Sequence, residues 1–237
     1  MLYALVILLV CFVCATTATV AVFPAAVQTQ IVNNFNSVRS QAARGVLRWA
    51  NYTVDYDYEI QGEPSPWNKT YPKSTKLYSL KWDATLATQA VNRLKTYTAA
   101  SHNMTFAQPA TYGELTHGVM YGIAPNTYTA AQMFTKAWTG SWFGWLQSFG
   151  LPKMAYAKSD NQYQNMAYQL LAGTSQKIGC AYRNGTGTDN TWSVVCEMTP
   201  RGLTANVAVY PAGAICSACP AAAPCLPKAK GLCVPKA

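Results

Sequence analysis

Apolar positions recur every three or four residues at Ile31, Phe35, Val38 and Ala42, a spacing that predicts a helix ending at Gly45. From Ala50 to Ser79 no period holds, and the turn-rich stretch "GEPSPWNKTYP" lies at its centre. A second helix is expected after Asp83, a suitable N-cap, with Leu86, Ala90, Leu94 and Tyr97 on one face. Gly113-Glu114-Leu115 reads as the opening of a shorter helix. Thr129 would cap another, which carries Met133, Ala137, Trp142, Trp145 and Phe149 and closes at Gly150 before "LPK". The last third changes period. "KIGCAY" and "WSVVCEM" are strand-like and flank the loop "RNGTGTDNT", and "NVAVY" reads as one more strand. No internal repeat is visible.

The N-terminal stretch is apolar from Leu2 to Cys14 and passes into small residues, Ala15 to Ala21. It reads as a secretory leader, residues 1–21, with cleavage near Ala18 or Ala21. A membrane anchor is the rival, because apolarity continues to Phe23. Cleavage is the reading adopted, so no stable anchor is expected in the mature chain. Beyond Cys11 and Cys14 of the leader stand Cys180, Cys196, Cys216, Cys219, Cys225 and Cys233, an even set. Cys180 and Cys196 lie almost symmetrically about the loop and would face each other across a hairpin. The last four, with Pro and Ala between them, describe a small stapled tail over 213–237, with three pairings open. Zinc ligation by these cysteines is the competing reading, and export favours disulfides. Glycosylation sequons begin at Asn51, Asn68, Asn103 and Asn184.

Composition narrows the function classes. The chain has 237 residues, enough for a sizeable core, and with 50% hydrophobic and 11% charged residues it is not a disordered one. The formal charge is +9, but no basic run, RNP motif or zinc finger accompanies it, so nucleic acid is not an expected partner. What the charge supports is a basic secreted surface, with acidic glycans or anionic membranes attracted only through the general field.

Ordered along the chain, several motifs resemble the CAP superfamily (SCP/TAPS), in particular its nematode Ancylostoma-secreted-protein or venom-allergen-like branch. "IVNNFNSVRSQAARG" is similar to the N-terminal helix HN-x-x-R-x-x-x-A-x-G, and "LKWDATLATQA" to L-x-W-x-x-x-L-A-x-x-A. "SHNMTFAQPATYGEL" resembles the HS…GEN segment, "KIGCAY" the IGC strand, "WSVVCEMTPRG" the VVC-x-x-x-P-x-G segment, and "VYPAGAICSACP" the cysteine-rich exit. The resemblance implies an α+β fold, an α-β-α sandwich over 28–212 with a disulfide-rich extension over 213–237.

It also implies a cavity lined by two His and two acids that can hold a divalent metal. His102 matches the first His and Glu114 the acid of GEN. The second His cannot exist, since no His follows His117; Gln162, or Asn165 if the gap moves, stands there. Trp145 replaces the other acid. One imidazole and one carboxylate are too few for a typical zinc site, so no metal or other cofactor is expected. Glu114 and His117 would be neighbours on a helix, but E-x-x-H alone matches no metalloprotease motif. The alternative is a His102–Glu114 pair that stabilises the fold. There is no G-x-S-x-G, and the even cysteine set leaves no free thiol.

The aromatic helix, with Phe134, Trp138, Trp142, Trp145 and Phe149, either fills the core or lines an apolar groove, since the family resemblance implies sterol or fatty-acid binding in some members. The expectation is a secreted, non-enzymatic binding protein acting on an extracellular protein partner, as in host contact. A lipid carrier is the second reading and a metal-dependent hydrolase the third.

Overall fold

A computed structural model describes residues 18–49, 69–97, 111–120, 128–185, 191–226 and 230–236, with the side chains of 117–120 left aside. The sequons at Asn51, Asn68 and Asn103 lie outside the described residues, as does His102.

The first helix, α1 (Ala25–Ala43), buries Ile31, Phe35, Val38 and Ala42, the stripe the spacing predicts. Gly45 follows at φ 68°, a left-handed conformation that glycine adopts without strain. Two of its polar residues also face inward. Asn36 exchanges hydrogen bonds with the backbone of Leu80, accepting at 2.7 Å and donating at 2.9 Å. Arg39 is fully buried among backbone carbonyls. The second helix, α2 (Ala84–Lys95), starts at Asp83, whose carboxylate accepts from the amides of Thr85 and Leu86.

The sheet is built around the C-terminal hairpin, β6 (Lys177–Asn184) with β7 (Thr191–Thr199). β5 (Gly113–Met120) flanks β7, antiparallel. The other side of β6 is shared: β1 (Thr19–Val22) pairs antiparallel with its second half, and the two-residue β4 (Lys81–Trp82) pairs parallel with its start. A separate ribbon joins β2 (Arg48–Trp49) to β3 (Lys69–Thr70).

α2 covers one face, over a small cluster of Ala90, Leu94, Ala181 and Val195. α1, α3 (Ala130–Ala137), α4 (Phe143–Phe149) and α5 (Gln162–Leu170) cover the other, around the larger core. The result is an α-β-α sandwich. Gly179 permits the close approach of α2, because a Cβ there would lie 2.2 Å from the Ala87 nitrogen. Gly179→Ala is therefore expected to push α2 off the sheet and lower stability by about 2 kcal/mol, read by urea unfolding.

Three expectations are corrected. Gly113-Glu114-Leu115 opens a strand, not a helix, because the segment from Gly113 to Met120 runs in antiparallel register with β7, residue for residue. "NVAVY" is no strand; Ala208 makes an isolated bridge to Ala155, and the flanking Asn206 has φ 62°. The aromatic helix is not continuous. Thr129 caps α3 through a capping box with Gln132, but a π-helical turn (Trp138–Trp142) separates it from α4. Phe134, Trp138 and Trp142 are buried in the core, whereas Trp145 and Phe149 are only half-buried.

The hairpin pairs Cys180 directly with Cys196, bridged at a Cα separation of 4.1 Å. In the tail the pairing is Cys216–Cys225 and Cys219–Cys233. Backbone bonds from Ser79 to the Cys233 carbonyl and from Cys233 to the Leu77 carbonyl tie the tail to the domain.

Candidate functional site

Gly179, Glu197 and Glu114 are successive Cα partners across β6, β7 and β5, a row that faces α2. The glycine brings the helix down, and the two glutamates lie beside it, both with no exposed surface. Arg93, in the last turn of α2, reaches over this row. Its Nε–H donates to Glu114 Oε2 at 3.0 Å and an Nη2–H donates to Oε1 at 3.4 Å, a two-pronged clamp on the carboxylate. The guanidinium also sits 5.1 Å from the centroid of the Tyr97 ring. Partial burial pulls the Arg93 guanidinium down, but the hydrogen bond and charge of Glu114 more than offset it, and the net shift is upward.

Glu197 is different in kind. Neither of its carboxylate oxygens has a hydrogen-bond partner among the described residues. Burial first, and then the charge of Glu114, push its carboxyl up to about 8, with Arg93 pulling the other way. It therefore holds its proton at neutral pH, and the row has one carboxylate, one carboxylic acid and one guanidinium.

Of the four cavity positions read from the sequence, Glu114, Trp145 and Gln162 fall among the described residues. Glu114 is engaged by Arg93. Trp145, on α4, packs against the core and lies 5.1 Å from the Phe149 ring. Gln162 is the first residue of α5, half-buried, just after the capping Asn161. Asn165, the alternative, is almost fully buried and spends its amide on the Ser159 backbone, donating at 2.6 Å and accepting at 3.0 Å. Position 117 lies opposite Val194 in β5, and a strand's period of two does not make neighbours of positions 114 and 117. The described three do not by themselves make a ligand set for a divalent ion. The one remaining acid is held by a cation, and Trp145 and Gln162 offer no anionic ligand. Among the described residues, the only cluster of three ion-binding side chains is Cys216, Cys219 and Cys225, and all three are in disulfides.

Sequence reasoning missed Arg93 and Glu197. Both carried a signal. Arg93 stands three residues from Ala90, at the edge of the buried stripe, and Glu197 alternates with Cys196 and Met198 along a strand. At Asn184, the one described sequon, Nδ2 donates to the Tyr128 carbonyl at 3.3 Å and Oδ1 is buried without a hydrogen-bond partner among the described residues.

A three-layer α-β-α domain with a disulfide-stapled tail is the class these elements define. The chain belongs to the CAP, or cysteine-rich secretory protein, family, whose model matches residues 32–198. Among solved structures it is similar to the nematode protein NaASP2 with Zn2+, at 21% identity and a TM-score of 0.64 over 89% of this chain and 96% of that one. It is likewise similar to BmVAL-1, at 20% identity and a TM-score of 0.65 over 92% and 98%. Hookworm Platelet Inhibitor matches at 16% identity and 0.59 over 90% and 92%. No curated protein sequence matches the chain.

Proposed function

We propose that this is a secreted, non-enzymatic CAP-domain protein that works outside the cell by binding a protein partner. The observation that carries its non-enzymatic part is the Arg93 clamp on Glu114, the acid at the cavity position that the family resemblance implies. The similar NaASP2 was solved with Zn2+; in this chain Trp145 and Gln162, at two of the cavity positions the family resemblance implies, offer no anionic ligand. CAP proteins are typically extracellular, and among the described residues no helix is long and apolar enough to cross a membrane.

The surface supports a partner with acidic character. Of the four described acids, Glu114 and Glu197 are buried, Asp83 is paired with Lys177 at 2.9 Å and Asp160 alone is exposed without such a pair, while Arg48, Lys69, Lys73 and Lys230 are exposed. Such a surface steers acidic partners and makes association salt-sensitive. A lipid carrier is less favoured, because Phe134, Trp138 and Trp142 are buried in the core.

Calorimetric titration of the purified mature protein with Zn2+ tests the non-enzymatic reading. The expected result is no tight, saturable binding, and the same trace for His102→Ala. Tight zinc binding lost in His102→Ala would overturn it. Solvent extraction and mass spectrometry separate the carrier: a blank is expected, and a stoichiometric fatty acid or sterol would replace the proposal.

A further inference from the structure

Two junctions in the leader region suit a signal peptidase, which selects small residues at the positions one and three before the cut. Cleavage after Ala18 has Thr16 at the third position, and cleavage after Ala21 has Thr19. Side-chain size does not separate them. The sheet does.

Thr19–Val22 is β1, and its four residues pair with Asn184, Arg183, Tyr182 and Ala181 of β6. Val20 packs on the cluster of Ala90, Leu94, Ala181 and Val195 beneath α2. The strand then leads straight into Phe23, which is buried against Phe134 and Tyr182 and whose carbonyl accepts from Gln28 Nε2 at 2.7 Å. A cut after Ala21 would remove three of the four pairs and the Val20 contact, and would leave the backbone of residues 182–184 in β6 unpaired along that side. Exposed strand edges of that kind invite pairing with other chains. A cut after Ala18 keeps the whole strand and places the new terminus at Thr19, which is exposed.

We infer that the Ala18–Thr19 peptide bond is the processing site and that the mature chain begins with β1. The step is a hydrolysis: water adds across the Ala18 carbonyl and the Thr19 nitrogen, leaving a carboxylate on the released leader and an ammonium on Thr19. No other reactant is needed. The inference rests on the secreted reading above, and it moves the end of the expected leader from residue 21 to residue 18.

The test is to express the full 237-residue chain in a eukaryotic secretory host and to sequence the N-terminus of the protein recovered from the medium. Thr19 as first residue is the expected result. Val22, or any start beyond Thr19, overturns the processing site while leaving secretion intact. A chain that keeps Met1 overturns both readings. As a second measurement, versions beginning at Thr19 and at Val22 are compared by thermal unfolding. The shorter is expected to melt roughly 4–10 °C lower, at the few degrees per kcal/mol usual for this chain length. Equal melting temperatures would overturn the structural basis.

Discussion

Arg39→Ala is expected to leave little or no folded, secreted protein. The Arg39 side chain is wholly buried, and its three nitrogens donate to three carbonyls in different segments: Nε to Tyr78 at 2.9 Å, Nη1 to Leu170 at 3.0 Å and Nη2 to Ser175 at 3.1 Å. One guanidinium thus joins α1 to the segment before β4 and to both sides of the turn that follows α5. Burial pulls it down to about 9, still charged at neutral pH. Removing it strands three buried carbonyls at about 1–3 kcal/mol each and opens a cavity besides. The sum is comparable to the whole stability of a typical domain, about 5–15 kcal/mol. Arg39→Lys keeps the charge but not the planar fork, so one ammonium cannot serve three separated acceptors. Its expected loss is about 2–3 kcal/mol, measured by urea unfolding of the secreted protein. Full retention of stability in the alanine variant would show that the carbonyls find water instead.

The second large effect concerns the acid row beneath α2. Arg93→Ala removes the cation from a buried carboxylate and is expected to cost about 3 kcal/mol. Arg93→Ala with Glu114→Gln should recover most of that loss, because the buried charge that Arg93 neutralised goes with the second substitution. Equal losses in the single and double variants would show that Arg93 acts by packing on Tyr97 instead. Glu197 sets a pH dependence of definite sign. Its pKa in the folded chain, about 8, lies above the ordinary value of 4.5, so the folded state binds the extra proton between those limits. Stability from this group is therefore fully present below about pH 4.5 and falls as pH rises towards 8, by at most about 1.4 kcal/mol per pH unit. Glu197→Gln is expected to flatten that stretch of the melting-temperature curve and to raise stability at pH 8. A variant whose curve overlays the parent's would mean Glu197 is ionised in the fold.

Much of this was legible in the residues. Asp83, Thr129 and Gly45 marked element ends through their own chemistry, and those marks are where the helices begin or stop. The hairpin was written in two β-rich runs with cysteines at matched positions. β5 was misread because Gly-Glu-Leu resembles a helix start. The alternation of Leu115 and Val119 with Glu114 and Thr116 was the better guide. The π-turn could not be read from spacing, since it shifts the phase of Trp145 and Phe149 relative to Trp142. The scarcity of histidine bore on the ligand count and gave no sign of Arg93. Arg93 meets Glu114 only because α2 lies close over Gly179, a contact between residues far apart in sequence.

The shared edge of β6 has a consequence for the chain during its synthesis. β1 and β4 both wait for a strand that begins at Lys177, so among the described residues nothing before it offers them a central strand on which to dock. At the usual pace of translation, roughly 5–20 residues per second, that delay is on the order of ten seconds or more. Throughout it Phe23, Phe35 and the face of α2 have no sheet to cover them. The β6–β7 hairpin, bridged by Cys180 and Cys196, then gives β1, β4 and β5 their places.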